Sequence, residues 1–567
     1  MSGFYQSPPV LGNQYRDDVL LRSYLRSAAP PAVLAEIEPE LLALGGRAAA
    51  EWLALAEQAE AEPPRLRSYD AWGSRIDRIE TSSAWRALER ISAVEGLVAR
   101  GYERAYGPFS RVDQFARLYL FSPSSATYSC PLAMSDGAAR CLELLAADER
   151  QRAAYRHLIS RDPAEFWTAG QWMTERTGGS DVSGTSTIAK RDGAQHRLFG
   201  TKWFTSATTS QMALTLARLE GADAGSRGLS LFYLELRDEA GRPRDMRVLR
   251  LKDKLGTRAL PTAEVELDGT PAWVVGGEGH GVRKIATVLT ITRGYNAMAS
   301  VAGMRRAIAL ARDYARRRVA FGRPLSEHPL HVDTLAGMQV ELAGCFLLAF
   351  HVVELLGLTE LGEASDADAR LLRLLTPVAK LYTGKQAVAV ASEAVEAFGG
   401  AGYIEDTGLP RLLRDAQVLS IWEGTTNVLS LDVWRAIDAD AGVIDELCAH
   451  VNRQLDAAQS EDLADAASRV RGAARELVQI SRRLADGAPA DREAAARRFA
   501  FAIARVTAGA LLIAHAHRSR SLPVAAHLAD DALRWSGREL IPALDTGDAH
   551  HAASKRLGLD ADWPLVP

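Results

Sequence analysis

The sequence predicts a mainly helical protein interrupted by one β-domain, in the order helices, β, helical bundle and a further helical module. Three observations predict it. Long Ala-, Leu- and Arg-rich stretches carry apolar residues at three- and four-residue spacing, the period of a helix with one buried face. Between about residues 165 and 276 the texture changes to short β-rich runs separated by Gly, Asp and Arg turns. The run Gly276-Gly277-Glu278-Gly279-His280-Gly281 then ends that block, and helical periods resume.

Taken in order, residues 1–165 read as a helical domain. Its clearest helices are 19–27, 34–59 and 136–145, with Pro30-Pro31 and Pro63-Pro64 as breaks. Residues 166–281 read as a small antiparallel barrel or sandwich, with strands at 186–189, 213–217, 229–236 and 263–267. Residues 282–440 return to long helices at 282–318, 334–358, 366–398 and 430–437. Residues 441–567 form an additional helical module, broken near 487–489 and at Pro523. No fixed-period repeat is present.

Composition narrows the function classes. At ~150 residues per domain, 567 residues make about four units. Hydrophobic residues at 47% and charged residues at 24% exclude disorder for the bulk of the chain. Lys+Arg 67 against Asp+Glu 71 gives no bulk attraction to DNA or to an anionic membrane. Cys130, Cys141, Cys345 and Cys448 form no CxxC pair, so neither a disulfide framework nor a zinc site is expected. Residues 1–10 lack a basic n-region and an apolar core, which argues against a signal peptide. The apolar stretch 508–517 reads as too short and too polar to span a bilayer. A cytoplasmic protein is the expectation.

Four segments could carry chemistry. In residues 173–181, Met173 and Thr174 leave a strand and Gly178-Gly179-Ser180 follow. Bare backbone beside two hydroxyls suits a phosphate or a heterocycle edge, although a Gly turn capping a strand accounts for the same residues. In Lys202-Trp203-Phe204-Thr205-Ser206, strand alternation puts Phe204 and Ser206 on one face and sends Trp203 into the core. An aromatic plane next to a hydroxyl suits a flat ring with a hydrogen-bonding edge, and a half-buried strand is the plain alternative. Arg316-Arg317-Arg318 precede Val319-Ala320-Phe321-Gly322 at a helix end. One of these arginines can reach a diphosphate, or all can be solvated cations favoured by the helix dipole. Finally, Phe398-Gly399-Gly400 precede Ile421-Trp422-Glu423-Gly424-Thr425-Thr426-Asn427. Glu423, between a bulky aromatic and a glycine, suits a general base, or else lies on a loop surface.

There is no GxGxxG after a strand, no GxxxxGK[ST], no HExxH and no GxSxG. His328 and His331 are the nearest approach to a metal pair and lack companions at ligand spacing.

In this order, these segments resemble the acyl-CoA dehydrogenase family over residues 11–436. Within it they are most similar to the long alkylation-response (AidB-type) flavoproteins. Leu11-Gly12-Asn13, Tyr69-Asp70, Arg75-Ile76-Asp77 and Ile421-Trp422-Glu423-Gly424 carry the AidB-type likeness, as does the length beyond residue 440. The resemblance implies an N-terminal helical domain, a middle β-domain and a C-terminal four-helix bundle, assembled as a homotetramer around FAD. It implies that Met173, Thr174, Gly179 and Ser180 line the flavin and its phosphates. Phe204 would stack on the isoalloxazine, with Ser206 toward N5. Arg318, Phe321, Gly399 and Gly400 would hold the adenine-diphosphate half, partly across a subunit interface. Trp422, Thr425 and Asn427 would meet FAD again beside Glu423. Phe204 stands where Trp is common and Ser206 where Thr is common; both keep the chemical type. Glu396 stands where Gln is common and is not counted as a ligand.

The implied chemistry is α,β-dehydrogenation of an acyl thioester. Glu423 would take the α-proton, and the β-hydrogen would leave as hydride to flavin N5. Electrons would pass on to an electron-transfer flavoprotein or to oxygen. Two other functions compete. One is a DNA-associated flavoprotein of the alkylation response, for which Arg471, Arg475 and Arg482 form a helix stripe. Residues 441–567 hold 16 Lys/Arg and 17 Asp/Glu, so a solvated face is the preferred account of that stripe. The other is a flavin oxidase or monooxygenase of the same superfamily. No membrane role is implied.

Overall fold

The computed structural model describes residues 7–560. The expectation about the first ten residues therefore falls largely outside it. The N-terminal part runs α1 (Val19–Ala28), α2 (Pro31–Ala49), α3 (Glu51–Ala61), β1 (Arg65–Tyr69), β2 (Arg75–Glu80), α4 (Ser83–Val94), α5 (Ala99–Glu103), α6 (Phe109–Phe121), α7 (Ser129–Leu145) and α8 (Glu149–Leu158). Two features differ from the sequence reading. The helix expected at 34–59 is broken at Ala50, whose φ −133° and ψ −87° are not helical. Alanine gives no local warning; Trp52, fully buried just after the break, shows packing overriding propensity. The second is the β1–β2 hairpin, which lies within a region read as helical. Buried Asp77 clamps it to the β-domain, accepting from Arg75 (2.9 Å) and from the backbone N–H of Val248 (3.0 Å).

The middle unit comprises β3 (Ala169–Trp172), β4 (Ile188–Asp192), β5 (Gln195–Ser206), β6 (Met212–Leu219), β7 (Leu229–Glu235), β8 (Met246–Leu251) and β9 (Thr262–Val274). Pairings β6–β4, β4–β5, β5–β9, β9–β7 and β7–β6 close a small barrel, with β3 appended to β6 and β8 to β9. The expected all-antiparallel pattern is corrected here, because β6 pairs in parallel with both β3 and β4. The long connections between them allow it. Trp172, Leu198, Phe232, Val248 and Val265 fill the barrel.

Helices α9 (Gly281–Arg317), α10 (Pro329–Leu361), α11 (Asp366–Ala397), α12 (Leu409–Leu419) and α13 (Thr426–Ala439) form the bundle. Between α9 and α10 lie two short strands, β10 (Val319–Ala320) and β11 (Arg323–Pro324). Ser365 caps α11 in a reciprocal box with Asp368. The last module holds α14 (Val443–Asp456), α15 (Ala464–Asp486), α16 (Pro489–Arg518), α17 (Ala525–Ser536) and α18 (Asp548–Leu559). One apolar core runs without interruption from α1 through the bundle into α17. At Gly344 of α10 a Cβ would lie 2.3 Å from the Trp535 ring of α17, so the helices meet only because that residue has none.

Polar groups are buried along the same seam. His351 and His450 stack at 4.8 Å, and His515 lies 3.0 Å from the Ser23 hydroxyl. Burial pushes both His450 and His515 down to about 3. Among the described residues two helices, α10 and α16, are long and apolar enough to cross a membrane, which corrects the reading of 508–517 as too short. In this structure 83% and 89% of their most apolar windows are buried. The arginine stripe on α15 is partly neutralised from α14. Arg471 pairs with Asp456 (2.8 Å) and Arg482 with Asp445 (2.8 Å).

Candidate active site

The β-domain brings the first two sequence-derived segments side by side. Met173 and Thr174 follow β3 directly, and the Thr174 carbonyl accepts from the Trp203 N–H at 2.9 Å. Beneath them Glu175 and Lys202, both buried, form an ion pair of 2.7 Å. Glu175 also accepts from Ser186 Oγ (2.6 Å) and Thr187 Oγ1 (2.5 Å). Burial alone pushes its carboxyl up, but the Lys202 ammonium and the two hydroxyls outweigh it and leave the group at about 2. Gly179 and Ser180 lie on the exposed rim of this turn.

Phe204 is 52% exposed, an unusual position for a large aromatic on a barrel strand. Trp203 does not enter the core as alternation predicted. The β5–β9 register slips between Lys202 and Thr205, and this bulge turns Trp203 to the same side as Phe204. Lys252 Nζ lies 3.6 Å from the Trp203 ring and 4.7 Å from the Phe204 ring. The Ser206 hydroxyl lies 3.1 Å from Thr262 Oγ1, which also accepts from Lys254 Nζ at 3.3 Å. Burial brings Lys254 down to about 8. A half-bare aromatic face beside a hydroxyl pair and a Gly rim fits a flat heterocycle with a polar edge, so these residues suit a flavin.

The bend between α12 and α13 carries Glu423. Its φ of +57° is left-handed, and Gly424 follows at +104°. Thr292 Oγ1 of α9 donates to Glu423 Oε2 at 2.6 Å. The Glu423 carbonyl accepts from Arg293 Nε (3.3 Å), and the Gly424 carbonyl from Lys380 Nζ of α11 (2.6 Å). Trp422 Nε1 donates to Asn296 Oδ1, whose Nδ2 donates to the Leu419 carbonyl at 3.0 Å. Thr425 is the N-cap of α13, and Asn427 lies exposed in its first turn. Cys130 of α7 is buried. Burial raises its thiol to about 12, while the nearby charges of Lys254 and Glu423 act on it in opposite senses.

Arg318, Phe321, Gly399 and Gly400 form a separate group. Phe321 (φ +51°) and Gly322 (φ +81°) make the two-residue turn between β10 and β11, and the Phe321 ring is 98% exposed at its tip. Arg318 is the C-cap of α9. Gly399 and Gly400 face open space at the end of α11. The Tyr314 ring packs on that of Phe398 at 4.5 Å, tilted by 38°, and so ties the two ends together.

A cavity of about 100 Å³ opens on the other side of Trp422, with Ala299, Gly303, Ala387, Ala391, Arg411 and Asp415 among its walls. Ala299 and Gly303 lie seven and eleven residues beyond Thr292, and Ala387 and Ala391 the same distances beyond Lys380. Each set therefore shares its helix face with a residue touching the Glu423 bend, roughly 10–16 Å along the axis. A larger groove of about 790 Å³ lies between the hairpin, α4 and the barrel, and none of the sequence-derived site residues lines it.

Comparison with known proteins agrees with this geometry. Profiles of the AidB N-terminal domain, the acyl-CoA dehydrogenase middle domain and the acyl-CoA dehydrogenase C-terminal domain match residues 6–162, 170–270 and 279–437. The acyl-CoA dehydrogenase 11 C-terminal domain-like profile matches residues 442–563. Acyl-CoA dehydrogenase family member 11 of Caenorhabditis elegans is 47% identical over 532 residues, covering 91% of this chain and 86% of that protein. The chain belongs to the acyl-CoA dehydrogenase family.

AidB of Escherichia coli (strain K12) is 35% identical over 407 residues, which are 70% of this chain and 73% of AidB. The crystal structure of C. elegans ACDH-11 in complex with C11-CoA superposes with a TM-score of 0.95 at 44% identity. It covers 99% of this chain and 98% of that one. This acyl-CoA dehydrogenase is an FAD-dependent oxidoreductase acting on CH–CH groups. Sequence reasoning missed four of its inward-facing polar residues: Thr292, Asn296, Lys254 and Lys380. Each sits singly in an apolar or mixed stretch with no motif spacing, and only the position of Thr292-Arg293 within the long α9 period offered a signal.

Proposed function

We propose that Glu423 is the base that removes the α-proton of an acyl-CoA thioester, and that Met173, Thr174, Gly179, Ser180, Phe204, Ser206, Trp422, Thr425 and Asn427 surround the flavin. The observation that carries this is the Glu423 bend. A carboxylate held left-handed by three side chains, with Thr292 fixing one oxygen, is built to aim rather than to float. Among the described residues Oε1 carries no such bond and is the oxygen free to take a proton. When bound, FAD supplies the hydride acceptor. The Ser206 hydroxyl, supported by Thr262, is placed to bond its edge, while Phe204 covers its face.

The acyl tail would run past Trp422 between α9 and α11, where small residues leave room for a chain of medium length. C11-CoA in the worm relative is a ligand of that kind. Arg318, Phe321, Gly399 and Gly400 would hold the adenine-diphosphate half against a second subunit, which also accounts for exposed Phe321, Tyr403 and Ile404. The assembly would be a cytoplasmic homotetramer that passes electrons to an electron-transfer flavoprotein or to oxygen. The acidic partners of Arg471 and Arg482 leave little for DNA on that face.

The test is anaerobic bleaching of the flavin by a short- to long-chain acyl-CoA panel. Glu423→Gln should keep FAD and bind acyl-CoA yet bleach roughly 10²–10⁴ times more slowly. Near-normal bleaching by this variant would remove Glu423 from the role.

A further inference from the structure

The Glu423 bend is fixed by two cations of unequal standing. A left-handed non-glycine residue is a strained conformation that persists only where its surroundings hold it. Here Arg293 Nε takes the Glu423 carbonyl (3.3 Å) and Lys380 Nζ takes the Gly424 carbonyl (2.6 Å), one from each side. Arg293 already has a carboxylate partner. Arg293 pairs with Asp432 of α13 at 2.8 Å, and Asp432 also pairs with Arg373 at 2.7 Å. Lys380 is fully buried, and no carboxylate lies within 4.0 Å of it among the described residues. An ammonium in that setting is costly unless a charge nearby compensates it. The carboxylate that acts on it is Glu423.

We propose that Lys380 is a positioning residue for the base: its ammonium pins the Gly424 carbonyl and is the buried counter-charge that faces the Glu423 carboxylate. This rests on Glu423 being the base. The remaining groups around the carboxylate cannot substitute. Thr292 of α9 donates a neutral hydrogen bond, Cys130 of α7 is a buried thiol, and Lys254 from the segment before β9 is bound to the carbonyls of Thr257 and Leu260. Arg293 is already paired with Asp432, 2.8 Å away. Burial brings Lys380 down to about 7, with Glu423 opposing that shift. The negative carboxylate is favoured while Lys380 is charged, and the ammonium loses its partner when the carboxylate takes the α-proton.

Lys380→Met and Glu423→Gln, both loaded with FAD, are compared with the unmodified enzyme by anaerobic flavin bleaching at saturating acyl-CoA between about pH 5.5 and 9. Without its opposite charge the base should hold a proton to higher pH. The acid limb of the Lys380→Met profile should therefore move up by one pH unit or more, a loss of roughly tenfold or greater near pH 6 that largely recovers at pH 9. Lys380→Gln keeps an N–H for the carbonyl and carries the same test if the Met protein does not retain FAD. Lys380→Arg, which keeps the charge, should restore the limb. An unmoved acid limb, or a rate lowered equally at every pH, would overturn the proposal and leave Lys380 as packing. A normal rate in Glu423→Gln would instead overturn the assignment of the base.

Discussion

Acidification should loosen the seam between the last helical module and the bundle, and two histidines set the size of the effect. His450 and His515 are held neutral in the folded protein, with pKa values brought by burial from 6.5 to about 3. A depressed folded value means that stability is intact above the unfolded value of 6.5 and falls as pH drops toward 3. At pH 5 each histidine would take up its proton only on opening, which costs about 2 kcal/mol apiece and about 4 kcal/mol together. Asp531 on α17 works the other way. Burial raises its carboxyl from 3.8 to about 7, so the folded form binds the proton and gains about 2–3 kcal/mol between pH 7.5 and 5. The net loss is about 1–2 kcal/mol, a fall in protection of roughly tenfold for openings that detach α14, α16 and α17 together. Amide hydrogen exchange, corrected for intrinsic rate, reads it in peptides covering those helices. In His450→Asn/His515→Asn the Asp531 contribution outweighs the smaller downward shift of His527, the remaining α17 histidine, and the sign should invert: protection at pH 5 should exceed that at pH 7.5. A double variant that still loses protection on acidification would refute the reasoning.

Two further outcomes follow from packing. Lys202→Met leaves Glu175 buried without its ion partner, at a cost of about 3–5 kcal/mol, and should lower both the melting temperature and the FAD content of the purified protein. Gly344→Ala places a methyl 2.3 Å from the Trp535 ring and should lower the melting temperature by the equivalent of about 1–3 kcal/mol, with FAD content unchanged.

The sequence made legible what local chemistry decides. The helix from Asp366 to Ala397 announces itself through Ser365 and Asp368 at its start and glycines at its end. Phe204 and Ser206 were legible because alternation holds from Phe204 onward, with Thr205 buried between them. Trp203 was misplaced because a bulge is a property of two strands in register, and one strand read alone cannot reveal it. The break at Ala50 was hidden for a similar reason, since it answers to the burial of Trp52 and not to any helix-breaking residue. The β1–β2 hairpin has charged, mostly exposed strands whose stability comes from Asp77 reaching a barrel strand far along the chain. Lys380 reads as a surface lysine in any window of its own helix, and only the fold shows that it points at the Gly424 carbonyl.

The apolar seam has a practical consequence for anyone wishing to shorten this enzyme. Cutting the chain after residue 440 would strip α16 and α17 from α10 and α11, leaving Tyr382 and the Gly344 face of α10 laid open. Such a fragment would present a continuous apolar wall of the kind that drives soluble proteins to associate. An enzyme that ends with the bundle is therefore not reachable from this sequence by deletion. It would need a redesigned outer face on two helices, with Gly344 refilled and the histidine pockets closed.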